Sequence, residues 1–221
     1  MTYAVDFTPV FAAFGALLTG LWLSIRLAAL AAAIGGAVAL LLAAGKLSGK
    51  RTLRAPVDAY VELIRNTPLL VQVFFVFFGL PALGMRLRPD TAALVALTLN
   101  AAAYMTEIMR AGIESVSRTQ VEAGLALGLH RLQVFRLIVL VPALRAVFPA
   151  LTSQFNVLLL GTSVVSAISA DELTHVGEYI VSLTYRSFEV YVTIGAMYFV
   201  ASWAFALLFG VFERRLFAYP A

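Results

Sequence analysis

The sequence predicts an all-α membrane protein with about five transmembrane helices, and three observations predict it. Of its 221 residues, 62% are hydrophobic and 13% charged, with a mean hydropathy of +0.92. Soluble domains average about 45–50% apolar and about 25% charged residues, and a chain this short has too little interior to hide such an excess from water. Second, stretches free of Asp, Glu, Lys and Arg recur at near-spanning length: residues 7–25, 27–45, 66–85, 91–106, 146–170 and 190–212. A membrane helix needs about 20 mostly apolar residues. Third, the basic residues between these stretches cluster in alternate connections, on one side. This composition excludes a soluble enzyme, a disordered chain and a nucleic-acid-binding module, despite a pI near 9.6. The absence of cysteine excludes disulfides and thiolate chemistry.

Taken in order, the first two stretches are separated by Arg26 alone, with no turn residues beside it. They therefore read as one span over 21–44, preceded by a short interfacial helix over 7–18. Thr8 would cap that helix, with Pro9 in its first turn. Residues 1–18 thus form an N-terminal extracytoplasmic or interfacial helix, 19–215 a transmembrane domain and 216–221 a cytoplasmic tail. Asp6 is the only charge before Arg26, so no cleavable signal peptide is expected. Span two opens on Arg65-Asn66-Thr67-Pro68. Two readings stand there: an unwound polar start lining a pathway, or an arginine reaching the interface before an ordinary helix start. After span three, Glu107 and Arg110 lie one turn apart, as an ion pair would.

Lys46, Lys50, Arg51, Arg54 and Arg65 follow span one. Arg110, Arg118, Arg131, Arg136 and Arg145 lie between spans three and four, and Arg214 and Arg215 follow span five. Twelve of the sixteen basic residues thus share one side, which the positive-inside rule makes cytoplasmic. The N-terminus is then outside and the C-terminus inside.

Residues 107–145 break the pattern. They are too polar for a span and too long for a turn, yet rich in helix formers. Gly128 separates two short amphipathic pieces, about 118–127 and 130–141, as a helix stop does. Pro142 is expected to break whatever precedes span four. Gly124 and Gly128 form a GxxxG, but the stretch carries too many charges for a lipid-buried dimer seam. A helix–Gly–helix of this size is built to dock on something.

These residues carry a resemblance. Glu122-Ala123-Gly124, then Gly128 and Leu140-Val141-Pro142, resemble the cytoplasmic "EAA…G…P" loop of permease subunits of binding-protein-dependent ABC importers. The runs from Tyr60 to Gln72, Tyr104 to Ile113 and Gln120 to Gly128 are similar to the histidine/glutamine/arginine-type polar amino-acid permease family. The likeness extends from about Thr19 to Glu213, and Gly124 stands where the pattern usually has Ala. The resemblance implies a type I ABC importer permease fold with a cytoplasmic EAA loop at about 114–141, in a bacterial cytoplasmic (inner) membrane. It implies that Glu122, Ala123, Gly124 and Gly128 couple the chain to an ATPase. It also implies the partners: a cytoplasmic ABC ATPase dimer holding ATP and magnesium, a second permease subunit (identical or paralogous) and an extracytoplasmic amino-acid-binding protein. The chain has no GxxxxGK[ST] loop and needs no cofactor of its own. It would be the conduit, not an enzyme.

Candidate pathway residues are Arg26, Arg65, Asn66, Thr67, Gln72, Asn100, Gln154, Asn156, Thr162 and Ser163. For the amides, interhelical hydrogen bonding is the default role. Arg26 lies 18 residues before Ala44, about 27 Å along a helix. It either snorkels near the outer edge or faces the pathway. Related permeases carry a Lys–Asp or Lys–Asn pair before the Thr/Ser-Ser step of span four, where this chain has Leu160-Gly161. No span offers a carboxylate apart from Glu107, so neutral or acidic amino acids are expected over arginine or lysine. His175 with Glu172 and Glu178 could ligate a metal by spacing, but such residues are routine on an outer-surface helix. Two other classes were weighed. A stand-alone ion-coupled transporter would show internal repeats, and a membrane-embedded enzyme would show a Gly-x-Ser-x-Gly or His-Glu-x-x-His motif. Neither is visible.

Overall fold

Every regular element among the described residues, 4–217 of a computed structural model, is a helix. Short α1 (Thr8–Ala12) leads into α2 (Phe14–Leu47), α3 (Arg51–Arg65) and α4 (Leu69–Phe74), which runs on through a π turn and a 3₁₀ turn to Leu83. Then come α5 (Pro89–Glu114), α6 (Arg118–Ala126) and α7 (Arg131–Val134). A π turn joins α7 to α8 (Leu140–Gly161), a 3₁₀ stretch (Thr162–Ile168) follows, and α9 (Leu173–Thr184) and α10 (Ser187–Leu216) complete the chain. Four stretches are long and apolar enough to cross a membrane: Phe14–Leu47, Pro89–Glu114, Arg131–Ile168 and Ser187–Leu216. A fifth is the pair Arg51–Arg65 and Leu69–Leu83, bent by 108°. Counting that pair as one span gives the expected five.

Four local expectations are corrected. The N-terminal helix does not run to residue 18: the chain turns at Ala13, and Phe14 already starts α2. Thr8 caps nothing; its N–H is held by the Asp6 carboxylate at 2.9 Å, with Pro9 in the first turn as expected. Span two does not start at residue 66, because 51–65 is itself a helix whose apolar stripe (Val57, Val61, Ile64) packs on Leu42 and Ala103. Pro142 sits in the first turn of α8 without ending the helix; the π turn Phe135–Val139 loosens the ladder just before it. Of the expected tail 216–221, residues 218–221 lie outside the described residues.

The bundle is built on α2 and α5. Helices in lipid gain little from apolar burial against each other and associate through close packing of small residues. Here α5 buries Ala92, Ala93, Ala96, Ala101, Ala102 and Ala103. A Cβ on Gly35 of α2 would stand 2.7 Å from Ala101 Cβ. Two ends can be distinguished. At the basic end lie the C-termini of α2, α5 and α10 with α6 and the start of α8; there a Cβ on Gly112 would meet Val147 and Phe148 stacks on Phe209. At the far end, α9 lies across α2 with its first turn pressed onto Gly20.

Gly20 sets that contact. An added Cβ there would stand 2.9 Å from Leu173 Cα and 3.1 Å from Glu172 C, backbone atoms that cannot rotate away. Gly20→Ala is expected to lower stability by about 1–3 kcal/mol, read as a lower thermal midpoint in detergent. Gly15→Ala, with nothing within 4 Å of the new methyl, should leave the midpoint unchanged or raise it.

Candidate functional site

The bend between α3 and α4 falls beside the middle of α5. Pro68 has no N–H to continue α3 and disfavours helical geometry at Thr67, so the last carbonyls of α3 lose their helical donors. Polar side chains replace them. Asn66 Nδ2 donates to Glu62 O at 2.8 Å, and Thr67 Oγ1 donates to Leu63 O at 2.9 Å. The Gln72 amide, from the first turn of α4, reaches back across the break to Ile64 O at 2.7 Å and Thr67 O at 3.0 Å. Its own oxygen accepts from Asn100 Nδ2 of α5 at 3.0 Å. Four predicted residues, Asn66, Thr67, Gln72 and Asn100, are therefore brought together, and they hold a broken helix. Arg65 stacks over the Tyr104 ring at 5.4 Å, where a cation–π contact forms. It faces a cleft of about 470 Å³ that Glu107, Arg110 and Ser115 also line.

The other predicted residues lie apart. Gln154 and Asn156 are on α8, with Gln154 Nε2 and Asn156 Oδ1 buried and lacking a hydrogen-bond partner among the described residues. Thr162 and Ser163 donate to Leu159 O and Leu160 O, each at 2.7 Å. Arg26 stands on the exposed face of α2 between the exposed Trp22 and Leu30.

At the basic end, α6 closes on Gly128 at φ +82°. Leu129 N–H bonds Gly124 O and Gly128 N–H bonds Leu125 O, the Schellman pattern that favours glycine at the left-handed position. Gly124 is buried because a Cβ there would meet Ile138 Cδ1 at 2.4 Å and Val134 Cγ2 at 3.2 Å. An alanine at this position, usual in the pattern, would require the Ile138 and Val134 side chains to shift. His130 caps α7 reciprocally with Gln133. Glu122 and Ala123 are exposed, as are Leu125 (43%) and Leu127 (82%).

Two arrangements were missed. Spacing groups Glu172 with His175 and Glu178 on an outer-surface helix, yet Glu172 is fully buried. It caps α9 by accepting from His175 N–H at 2.9 Å, and it accepts from Tyr198 OH at 2.6 Å and Ser24 Oγ at 3.3 Å. Burial raises its carboxyl above the ordinary value, against the donors that favour the charge. No group of three metal-ligating side chains forms among the described residues. Glu189, also fully buried, accepts from Asp6 N–H at 2.9 Å and faces Arg186, which also donates to Ala4 O. Thr8 hydrogen bonds hold the Asp6 carboxyl below its ordinary value. The second arrangement is ionic: Glu107 pairs with Arg110 as expected, but Lys46 and Asp58 join them.

Residues 35–218 match the family described as binding-protein-dependent transport system inner membrane component. The octopine transport system permease protein OccM of Rhizobium meliloti is 36% identical, with 96% of this chain and 91% of that protein covered. The glutamine transport system permease protein GlnP of Escherichia coli K12 is 31% identical, covering 96% and 97%. Among solved structures, a chain of an amino acid ABC transporter crystallised with histidines superposes with a TM-score of 0.91 at 37% identity, covering 96% of this chain and all of that one.

Gln72→Leu keeps the volume and removes every bond across the break, leaving Ile64 O and Thr67 O without that donor. A loss of about 1–3 kcal/mol is expected, visible as a lower thermal midpoint. In a double-mutant cycle with Asn100→Leu the losses should fall short of additive by about 0.5 kcal/mol or more.

Proposed function

The chain belongs to the family of binding-protein-dependent transport system inner membrane components, and from that membership we propose how it works within an amino-acid ABC importer. It is the membrane permease, and ATP hydrolysis belongs to a separate partner chain. The ion-coupled carrier and the membrane enzyme are set aside by this membership.

One observation carries the finer reading: α6 is anchored on one side only, through Gly124 against Val134 and Ile138, while Glu122, Ala123, Leu125 and Leu127 face outward. A nine-residue helix is marginal by itself, so the Gly128 turn and this patch hold it ready for a partner. The partner we assign is the cytoplasmic ATPase dimer, which binds ATP with magnesium. The same end of the bundle carries most of the basic residues, which supports placing it in the cytoplasm, with the N-terminus outside. A second permease subunit, identical or paralogous, would cover exposed apolar faces and complete the pathway, and an extracytoplasmic amino-acid-binding protein would deliver substrate at the far end. The pathway residues are proposed as two groups. Arg65, Asn66, Thr67 and Gln72 of the broken helix, with Asn100 of α5 bonded to Gln72, form the first, beside the cleft. Gln154, Asn156, Thr162, Ser163 and, from the exposed face of α2, Arg26 form the second. Irregular backbone at membrane depth is tolerated where it lines a cavity or is buried in protein.

Substrate charge follows from the carboxylates. Glu172 and Glu189 are buried and already engaged, and Glu107, which lines the cleft, is paired with Lys46 and Arg110, so none of the three is open to a cationic side chain. Neutral or acidic amino acids remain the expected cargo. In competition uptake by the reconstituted complex, glutamine or glutamate should inhibit more than arginine or lysine. Dominant inhibition by arginine or lysine in a complex with two identical permeases overturns this.

Docking is tested by Gly128→Val. A β-branched residue at φ +82° is strained by about 1–3 kcal/mol, so the turn should reshape while membrane insertion continues. The assembled complex should then lose substrate-stimulated ATP hydrolysis. Glu122→Lys, a charge reversal on the exposed face, should weaken ATPase association. Normal stimulated hydrolysis with Gly128→Val counts decisively against the docking role.

A further inference from the structure

Helix α3 is held in different ways at its two ends. Its C-terminal end meets the 108° bend, bridged by the side chains of Asn66, Thr67 and Gln72. Its N-terminal half is held by one lysine from the last turn of α2. Lys46 Nζ donates to Asp58 of α3 at 2.8 Å and to Glu107 of α5. Glu107 shares its other oxygen with Arg110 at 2.9 Å, and Arg110 also grips Glu114 in the last turn of α5. Arg54 adds a bond to Asp58 from the surface. Three cations thus meet three carboxylates, with the Lys46 side chain only 13% exposed.

The apolar hold on α3 is small. Val57 and Val61 are buried, Tyr60 and Ile64 half-buried, and Tyr60 OH donates to Leu99 O of α5 at 2.6 Å, while Leu53 and Leu63 face outward. A largely buried ion pair contributes little net energy while intact, but losing one partner strands the other charge. The contact therefore fixes which faces of α2, α3 and α5 meet more than it adds stability. The ion-pair chain also points somewhere: Glu114 lies three residues before Ser117, which precedes α6.

We propose that Lys46 is a positioning residue of the transport cycle: it latches α3 against α2 and α5, and α3 swings about the Asn66–Pro68 break when α6 displaces the end of α5. The proposal rests on the reading of α6 as the ATPase-docking helix. Asp58 and Glu107 are the two catches, and Arg110 with Glu114 connects the latch to the docking turn.

The cysteine-free sequence gives a direct test. A Cβ on Gly45 would stand 3.8 Å from Val57 Cγ2, so Gly45→Cys with Val57→Cys places two thiols on facing helices at this contact, close enough for a reducible cross-link. In the complex reconstituted with its ATPase and binding protein, oxidising this pair should stop ATP-driven uptake of a radiolabelled mixture of the standard amino acids, and reduction should restore it. Undiminished uptake with the disulfide fully formed overturns the proposal. Lys46→Met should lower the amino acid imported per ATP hydrolysed by about fivefold or more. Lys46→Arg should keep that ratio, and Lys50→Ala, at an exposed position outside the ion-pair cluster, should leave it unchanged. A ratio unaltered by Lys46→Met also overturns the proposal. The importer reading fails separately, if the unsubstituted complex takes up no amino acid. The swing of α3 is then judged by the rate at which the Gly45→Cys/Val57→Cys pair cross-links, which ATP must change by about fivefold.

Discussion

A carbonyl freed where a helix breaks inside lipid must find a donor, and in this chain the side-chain amide of Gln72 supplies two of them at once. Without it, Ile64 O would keep only the longer bonds from Thr67, and Thr67 O would lose its side-chain donor, a cost that grows as the surroundings become less polar. With it, the chain can turn through 108° and still satisfy its backbone. The bond from Asn100 then fixes the bend to α5, the helix against which α2, α3, α4 and α8 all pack. The path of α3, the cleft under Arg65 and the approach of Lys46 to Asp58 all follow from where that bend sits.

Around the bend, two kinds of contact divide the work. Through the middle of the bundle, alanine and glycine let α2 and α5 come together at backbone distance, which suits a solvent that gives helices no reason to hide apolar surface from it. At the two ends, polar groups take over. The basic end carries a balanced set of ion pairs that share partners across three helices. The far end buries single carboxylates, Glu172 and Glu189, each placed at the start of a helix, where the backbone N–H groups and the macrodipole favour negative charge.

The spans were legible because lipid imposes one rule, apolar length, on every spanning segment. The turn at Gly128 was legible for a local reason: Gly128 and the sequence beside it specify a Schellman stop that needs no distant partner. Helix α3 was hidden by its charges, which drew it into a basic loop, although Leu53, Val57, Val61 and Ile64 already carry a helical period. Asn66, Thr67 and Gln72 could be singled out as polar groups, but their shared role depends on a bend that no spacing specifies. Glu172 was misplaced for a different reason. Its donors come from Ser24, 148 positions earlier, and Tyr198, 26 positions later, so only the folded topology makes it a buried group. The same holds for Lys46 and Glu107, 61 positions apart.

The length of α2 has one more consequence. Its 34 residues extend about 51 Å, against a hydrocarbon thickness of about 30 Å. A free helix with that excess would lean until its apolar length matched the bilayer. This one is clamped near its start, where the backbone of Leu173 sits on Gly20, and at its end, where Lys46 is tied to α3 and α5. It cannot lean by itself, so a change in membrane thickness is met by tilting the bundle as one body or by deforming the lipid around it.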